Sequence, residues 1–362
     1  MPETEGTDGR LAGGRFARDE RVGLIQHDMA APLSELGTFD AIVLLSVGPM
    51  TGPDPSAFTI HRSDVRGVDL AYVREGVGGF PCLLLHGWPE TKRVWWRNVA
   101  ALVDAGFEVI VPDLRGFGDS GMASDGFYDV AAHSRDMAEL MQGVLGHERC
   151  VTCGGDLGGV IAQDLALRFD GLVVRQLLFN TIPPLLPKEY EAAGIPVGVP
   201  REVRQAADYF MRQATDADGL AAELQTPELR RRWVAGMYGH RFWATPGSFS
   251  PEDVDFMTEP FGDADSFRAS IANYESALGR REVSEPPRFM ERSTVPTLVL
   301  YGPEDHVIPR QFPRMMEVAF EELVGPFVVE GAGHFLQWER AHVLNQALTY
   351  FCLDLLEGSR PR

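Results

Sequence analysis

Three residues of this chain have types and settings that could do chemistry together: Asp156, Asp305 and His334. Asp156 stands in Gly154-Gly155-Asp156-Leu157-Gly158, between the strand-like run "CVTCGG" and a helical continuation. Glycines so placed permit a sharp strand-to-helix turn with the aspartate at its tip. Asp305 lies in "PEDHVIP" after the run "PTLVLYG", and His334 lies in "AGHFLQWE" after "PFVVEG". Singly, each has an ordinary explanation as a packing turn, a turn aspartate or a structural histidine. Together, at the ends of three different strands, they suggest a site. A serine at such a tip suits acyl transfer, because its attack on an ester gives another ester that water can cleave. Serine attacking an alkyl carbon would leave an ether that no nearby base could hydrolyse. A carboxylate attacking that carbon leaves an ester, which water can cleave at the aspartyl carbonyl. Asp156 therefore points to alkylating substrates, epoxides or alkyl halides, with His334 activating the water and Asp305 orienting and supporting the imidazole.

The elements that must position these residues follow from the alternation of short β-rich runs with helix-length segments from Phe58 onward, the pattern of a doubly wound α/β sheet. The eight candidate strands are "AFTIHR", "VDLAYVREG", "PCLLLHG", "FEVIVPDL", "CVTCGG", "VRQLLFN", "PTLVLYG" and "PFVVEG". The first two can pair as a hairpin, and the others are spaced for parallel crossovers. The regularity stops after Asn180. Residues 181–292 contain no convincing strand but carry helical stretches such as "REVRQAADYFMRQ" and "ADSFRASIANYESALG", bounded by the proline clusters "TIPPLLP" and "EPPRFMERSTVP". The expected organisation is an N-terminal extension over 1–57, an α/β core over 58–180 and 293–362, and an inserted helical cap over 181–292.

The order Asp156, Asp305, His334, together with His86-Gly87-Trp88-Pro89 and the Gly-rich turn in "VPDLRGFGDS", resembles the α/β-hydrolase superfamily from Phe58 to Leu355. Within it the chain is similar to the epoxide hydrolase branch, where His-Gly-Trp-Pro or His-Gly-Phe-Pro accompanies an aspartate nucleophile. The resemblance implies a mostly parallel eight-stranded sheet flanked by helices, with the helical cap inserted. It also implies an oxyanion hole from the backbone N–H groups of Trp88 and Leu157, and a cis Trp88–Pro89 peptide. His86 and Trp88 line the substrate pocket on this reading; packing beneath the site is the alternative. Two cap tyrosines donating to the opening epoxide oxygen are implied too. Tyr274 in "FRASIANYESAL" is the first choice and Tyr209 in "AADYFMRQ" the second, with Tyr190 and Tyr238 in reserve, although a helical tyrosine commonly serves only packing. The acid is expected after the seventh strand, since the other position used in the superfamily holds Asn180. The alternative activity is that of a haloalkane dehalogenase with the same triad. Against it, the position after the nucleophile is Leu157, which has no side-chain N–H for a halide, and Trp88 would have to turn its indole inward. A hydrolase-fold binding protein without catalysis is a further alternative, but such proteins usually lack a triad member.

A formal net charge of −19 argues against nucleic acid or an anionic membrane surface as partner. An uncharged small molecule, here an epoxide, is indifferent to it. Cys82, Cys150, Cys153 and Cys352 read as buried, inert thiols, with no metal expected and no cofactor. The start "MPETEGTDGRLAGGR" lacks the basic and apolar regions of a signal peptide, and "FDAIVLLSVGPM" is shorter than the roughly 20 residues of a membrane helix. A soluble cytoplasmic protein is expected, with a homodimer allowed.

Overall fold

A two-residue turn sets the register of the first hairpin. Arg66 and Gly67 both have positive φ (53° and 78°), the backbone of a tight hairpin turn, so Val65 pairs with Val68 and strand β1 (Ile60–Val65) runs antiparallel to β2 (Val68–Glu75). β1 therefore begins three residues later than the run "AFTIHR" suggests, and Phe58 instead packs its ring edge-on against Trp96. The computed structural model describes residues 53–197, 208–239 and 243–359, so the expected extension 1–57 lies outside the described residues apart from 53–57.

The remaining strands are β3 (Phe80–Leu85), β4 (Phe107–Pro112), β5 (Cys150–Gly155), β6 (Val173–Thr181), β7 (Thr297–Tyr301) and β8 (Leu323–Val328). They form one eight-stranded sheet in the order β1-β2-β4-β3-β5-β6-β7-β8, antiparallel at β1-β2-β4 and parallel from β4 through β8. Inner strands β4, β5 and β7 are buried along their whole length, because helices cover a parallel sheet on both faces. The last strand starts earlier than "PFVVEG" suggests: pairing of Thr297 with Leu323 draws "LVG" into β8, across a register shift at Gly325–Pro326. The chain reverses its direction across the sheet between β3 and β5. A crevice opens outside the carboxyl ends of strands at such a switch point, and Trp88 and Asp156 follow these two strands.

The helices of the α/β part are α1 (Val99–Ala105), α2 (Val130–Ala138) and α3 (Asp156–Arg168); α3 packs on β3, β5 and β6. Between β6 and β7 come α4 (Pro187–Ala192), α5 (Asp208–Thr215), α6 (Ala217–Glu223), α7 (Pro227–Tyr238), α8 (Pro251–Thr258), α9 (Ala264–Ser270) and α10 (Ala272–Ala277). No strand of the sheet falls among the described residues of this stretch. Chain pairing with the sheet region resumes at Ser293, which bridges to Phe320. The chain closes with α11 (Phe312–Ala319), α12 (Leu336–Glu339), α13 (Ala341–Phe351) and α14 (Leu353–Ser359). All four cysteines are buried free thiols, and burial pushes Cys150 up to about 12. No helix among the described residues is long and apolar enough to cross a membrane.

Candidate active site

Asp156 is the first residue of α3 and has φ +45°, a left-handed conformation uncommon for residues other than glycine and held here by a steric constraint. Its neighbours impose that constraint. A Cβ on Gly154 would lie 2.6 Å from the Gly158 backbone, one on Gly158 would lie 2.1 Å from the Leu85 carbonyl oxygen, and one on Gly159 would lie 2.5 Å from Thr181 Oγ1. The turn can be this tight only because these residues have no side chains. Thr181 Oγ1 donates to the Asp156 carbonyl at 2.6 Å, tying the turn to β6. The carboxylate so placed stands at a helix N-terminus, where the backbone dipole favours negative charge.

Each carboxylate oxygen faces a different group. Trp88 N–H donates to Oδ1 at 2.8 Å, and the Trp88–Pro89 peptide is cis. Leu157, next in α3, has an N–H without an intrahelical acceptor, as every first-turn residue has. Oδ2 lies 3.3 Å from His334 Nε2, an ionic contact without good hydrogen-bond alignment. On the far side of the ring, Nδ1 meets Asp305 Oδ2 at 2.8 Å, and Asp305 Oδ1 accepts from the N–H groups of Val307 (2.7 Å) and Ile308 (3.1 Å). Burial opposes charge on His334, but the Asp305 charge and the contacts with Asp156 and Asp305 outweigh it and raise its pKa well above 6.5.

Tyr209 and Tyr274 come together over Trp88 from α5 and α10. Tyr209 stacks on the indole (centroids 5.5 Å apart, planes at 4°), Tyr274 meets it edge-on (5.6 Å, 89°), and the two phenol rings are 5.8 Å apart. Burial first, then Tyr209 and the Asp156 charge, hold the Tyr274 hydroxyl well above 10, so it is a neutral donor. The reserve tyrosines are engaged elsewhere: Tyr190 donates to the Pro184 carbonyl at 2.6 Å and Tyr238 to the Pro89 carbonyl. The Trp88 indole donates to Ser270 Oγ at 3.3 Å. His86 is fully buried, with Nε2 accepting from Leu114 N–H (3.0 Å) and Nδ1 at 2.9 Å from the Gly87 carbonyl, which leaves no ring nitrogen for a substrate.

Residues 81–341 match the family described as alpha/beta hydrolase fold. The soluble epoxide hydrolase of Corynebacterium sp. (strain C12) is 30% identical over 302 residues, spanning 81% of this chain and 97% of that protein. The chain belongs to the α/β-hydrolase fold family. Within it the chain falls in the epoxide hydrolase branch and is a hydrolase. Epoxide hydrolase A of Mycobacterium tuberculosis is 28% identical over 326 residues, 81% of this chain and 96% of that one. The solved structure of the epoxide hydrolase CorEH without ligand superposes with a TM-score of 0.69 at 24% identity, covering 82% of this chain and 99% of the other, and shares its fold.

Several groups at the hydrolase's site escape a reading of the sequence. Glu90 is buried beside the turn, accepts from Gly87 N–H and from Gln337 Nε2 (2.8 Å), and is raised to about 7 chiefly by burial. Its place directly after His-Gly-Trp-Pro was the one available signal. Asn180, at φ +36°, joins the two loops that carry the histidine and its partner acid: Oδ1 accepts from Gly302 N–H at 2.9 Å and Nδ2 donates to the Gly333 carbonyl at 2.6 Å. Glu339 gathers the N–H groups of Gly333 and Phe335, each at 2.9 Å, and so holds the histidine loop. Trp243 accepts from His334 N–H through its carbonyl (2.7 Å) and sets its ring edge-on to the imidazole at 5.0 Å. No motif surrounds Trp243 to mark it in advance.

Proposed function

We propose that this hydrolase opens an epoxide to a vicinal diol through an ester on Asp156 that His334-activated water then cleaves. The observation that carries the reading is the Asp156 carboxylate itself, with Oδ1 on the Trp88 N–H, Oδ2 beside His334, and two phenols packed over Trp88. In the first half, Oδ2 attacks an epoxide carbon, the ring C–O bond breaks, and its electron pair stays on the ring oxygen. Tyr209 and Tyr274 of the cap hydrogen-bond that oxygen and supply its proton.

Alkylation also prepares the second half. While Asp156 is ionised, His334 lies between two carboxylates and holds its proton. Ester formation removes the Asp156 charge, the imidazole loses one of its two anionic neighbours, and its pKa falls. The proton it gives up balances the one the phenol transferred. Neutral His334 then takes a proton from water through Nε2, the water oxygen adds to Cγ of Asp156, and the charge developing on Oδ1 meets the N–H groups of Trp88 and Leu157. The Cγ–Oδ2 bond breaks as the added hydroxyl passes its remaining proton to Oδ2, so Oδ2 leaves in the diol, the water oxygen remains on the Asp156 carboxylate and His334 is again protonated. Halide departure receives less support, because Leu157 lacks a side-chain donor and the Trp88 indole is committed to Ser270.

His334→Gln tests the reading. This variant is expected to open an epoxide once and retain the ester, so mass spectrometry of the peptide containing Asp156 gains the substrate mass. In a single wild-type turnover in labelled water the label is expected on Asp156, not in the diol. Absence of an adduct on a substrate that wild type turns over, or direct labelling of the diol, would refute the mechanism.

A further inference from the structure

Gln213 lies four residues after Tyr209 on α5, one turn along the same face, so the two Cβ atoms are roughly 5–6 Å apart. It is fully buried, yet neither Oε1 nor Nε2 has a hydrogen-bond partner among the described residues. A second buried donor without a partner borders the same tyrosine: the indole N–H of Trp243, whose ring centroid is 4.7 Å from that of Tyr209. Tyr190, Ser270 and Arg230, buried polar groups of the same insertion, by contrast donate to carbonyl oxygens. A buried amide with both ends unpaired destabilises a fold and calls for a reason. Helix α5 packs against α10, which carries Tyr274, so the amide lies on the helix pair that brings both phenols to Trp88.

We propose that Gln213 anchors a polar subsite beside Tyr209 that takes epoxides whose chain carries a carboxamide, an inference that rests on the epoxide reading above. The chemistry selects that class. The Gln213 amide offers one acceptor and two donor hydrogens in a single plane, and a second carboxamide pairs with both ends at once. A lone ester or ether oxygen satisfies only Nε2 and leaves Oε1 unpaired. An ionised group would be buried without a counter-charge. The indole N–H of Trp243, whose ring borders Tyr209, is a further unpaired donor.

The test compares kcat/KM for terminal epoxyalkanamides and isopropyl-ended epoxyalkanes of matched chain length, with wild type and Gln213→Leu. Wild type is expected to favour the amide at one chain length by at least about tenfold, since a site built to hydrogen-bond a polar group rejects the analogue lacking it. Gln213→Leu is expected to abolish that preference, keep hydrocarbon turnover within about twofold, and melt no lower than wild type, because it removes two unpaired groups. Gln213→Met, unbranched like glutamine, repeats the measurement should leucine disturb the packing. Absence of a preference in wild type at every length, or an equal loss on both substrate types in both variants, would overturn the subsite while leaving the epoxide reading standing. Failure of wild type to hydrolyse either series would remove the epoxide reading, and the subsite with it.

Discussion

Replacing Asp305 by asparagine separates the two halves of the proposed reaction. In the wild-type site Asp305 Oδ1 is fixed by two backbone donors, Val307 N–H at 2.7 Å and Ile308 N–H at 3.1 Å, while Oδ2 faces His334 Nδ1 at 2.8 Å. An asparagine must keep its oxygen toward the two N–H groups, which turns its NH₂ toward Nδ1. Donor then faces donor unless the imidazole gives up its Nδ1 proton and carries it on Nε2 instead. The nitrogen that should take a proton from water is then already protonated. A comparable exchange in a serine protease triad lowers kcat by about 10⁴ through the wrong tautomer, so ester hydrolysis is expected to slow by about 10³–10⁴. Attack by Asp156 does not use His334 as a base and should stay within about tenfold of wild type. Rapid-quench mass spectrometry then reads a burst of close to one adduct per enzyme, followed by slow turnover. The stability effect has a definite sign. A histidine pKa raised on folding contributes stability that is fully present below pH 6.5 and is lost as the pH rises through the folded value. The stability deficit of Asp305→Asn should therefore be largest below pH 6.5 and shrink above it. Equal slowing of alkylation and hydrolysis, or turnover at the wild-type rate, would refute the reasoning.

Tyr274→Phe keeps the ring that meets Trp88 edge-on but removes the hydroxyl, and the loss of one transition-state donor, about 2.7–4 kcal/mol, should lower epoxide kcat/KM by about 10²–10³-fold. Near-normal single-turnover rates would make the residue a packing group. Gly87→Ala would set a Cβ 2.5 Å from the Asp156 Cβ and 2.6 Å from Oδ1, so the proposed nucleophile must shift, and kcat/KM is expected to fall by about 10²-fold or more; unchanged kinetics would show that the carboxylate tolerates displacement. Glu90, raised from 4.5 to about 7, ionises in the unfolded chain first, so it removes stability as the pH rises from 4.5 to about 7, by roughly 3 kcal/mol at 1.36 kcal/mol per pKa unit. Glu90→Gln abolishes that ionisation, and its melting temperature should fall less than that of wild type between about pH 5 and pH 8; parallel falls in thermal melts would contradict it.

The tight turn at Asp156 was legible in the sequence because its constraints are local. Gly154, Gly158 and Gly159 are where a methyl group would strike backbone or Thr181, and a pattern of missing side chains is visible in one dimension. The strand before Asp305 could be read too, since burial on both faces leaves a short uninterrupted apolar run, whereas β8, before His334, is a partly exposed edge strand. Strand ends were less visible: β8 begins at Leu323 because β7 pairs with it there, and pairing is a property of two segments. The tyrosines could be nominated but not chosen. Tyr190, Tyr209, Tyr238 and Tyr274 all read as helical tyrosines, and only folding commits two hydroxyls to the Pro184 and Pro89 carbonyls while setting the other two rings against Trp88, one stacked and one edge-on. Glu90 follows a recognisable motif, yet its rise to about 7 comes from burial. Trp243 meets the His334 ring across 91 residues of chain. Local sterics and periodicity belong to neighbouring residues and can be read in order; proton affinity, ring contacts and the commitment of a hydroxyl depend on what long-range packing excludes or supplies, and only the tertiary structure decides them.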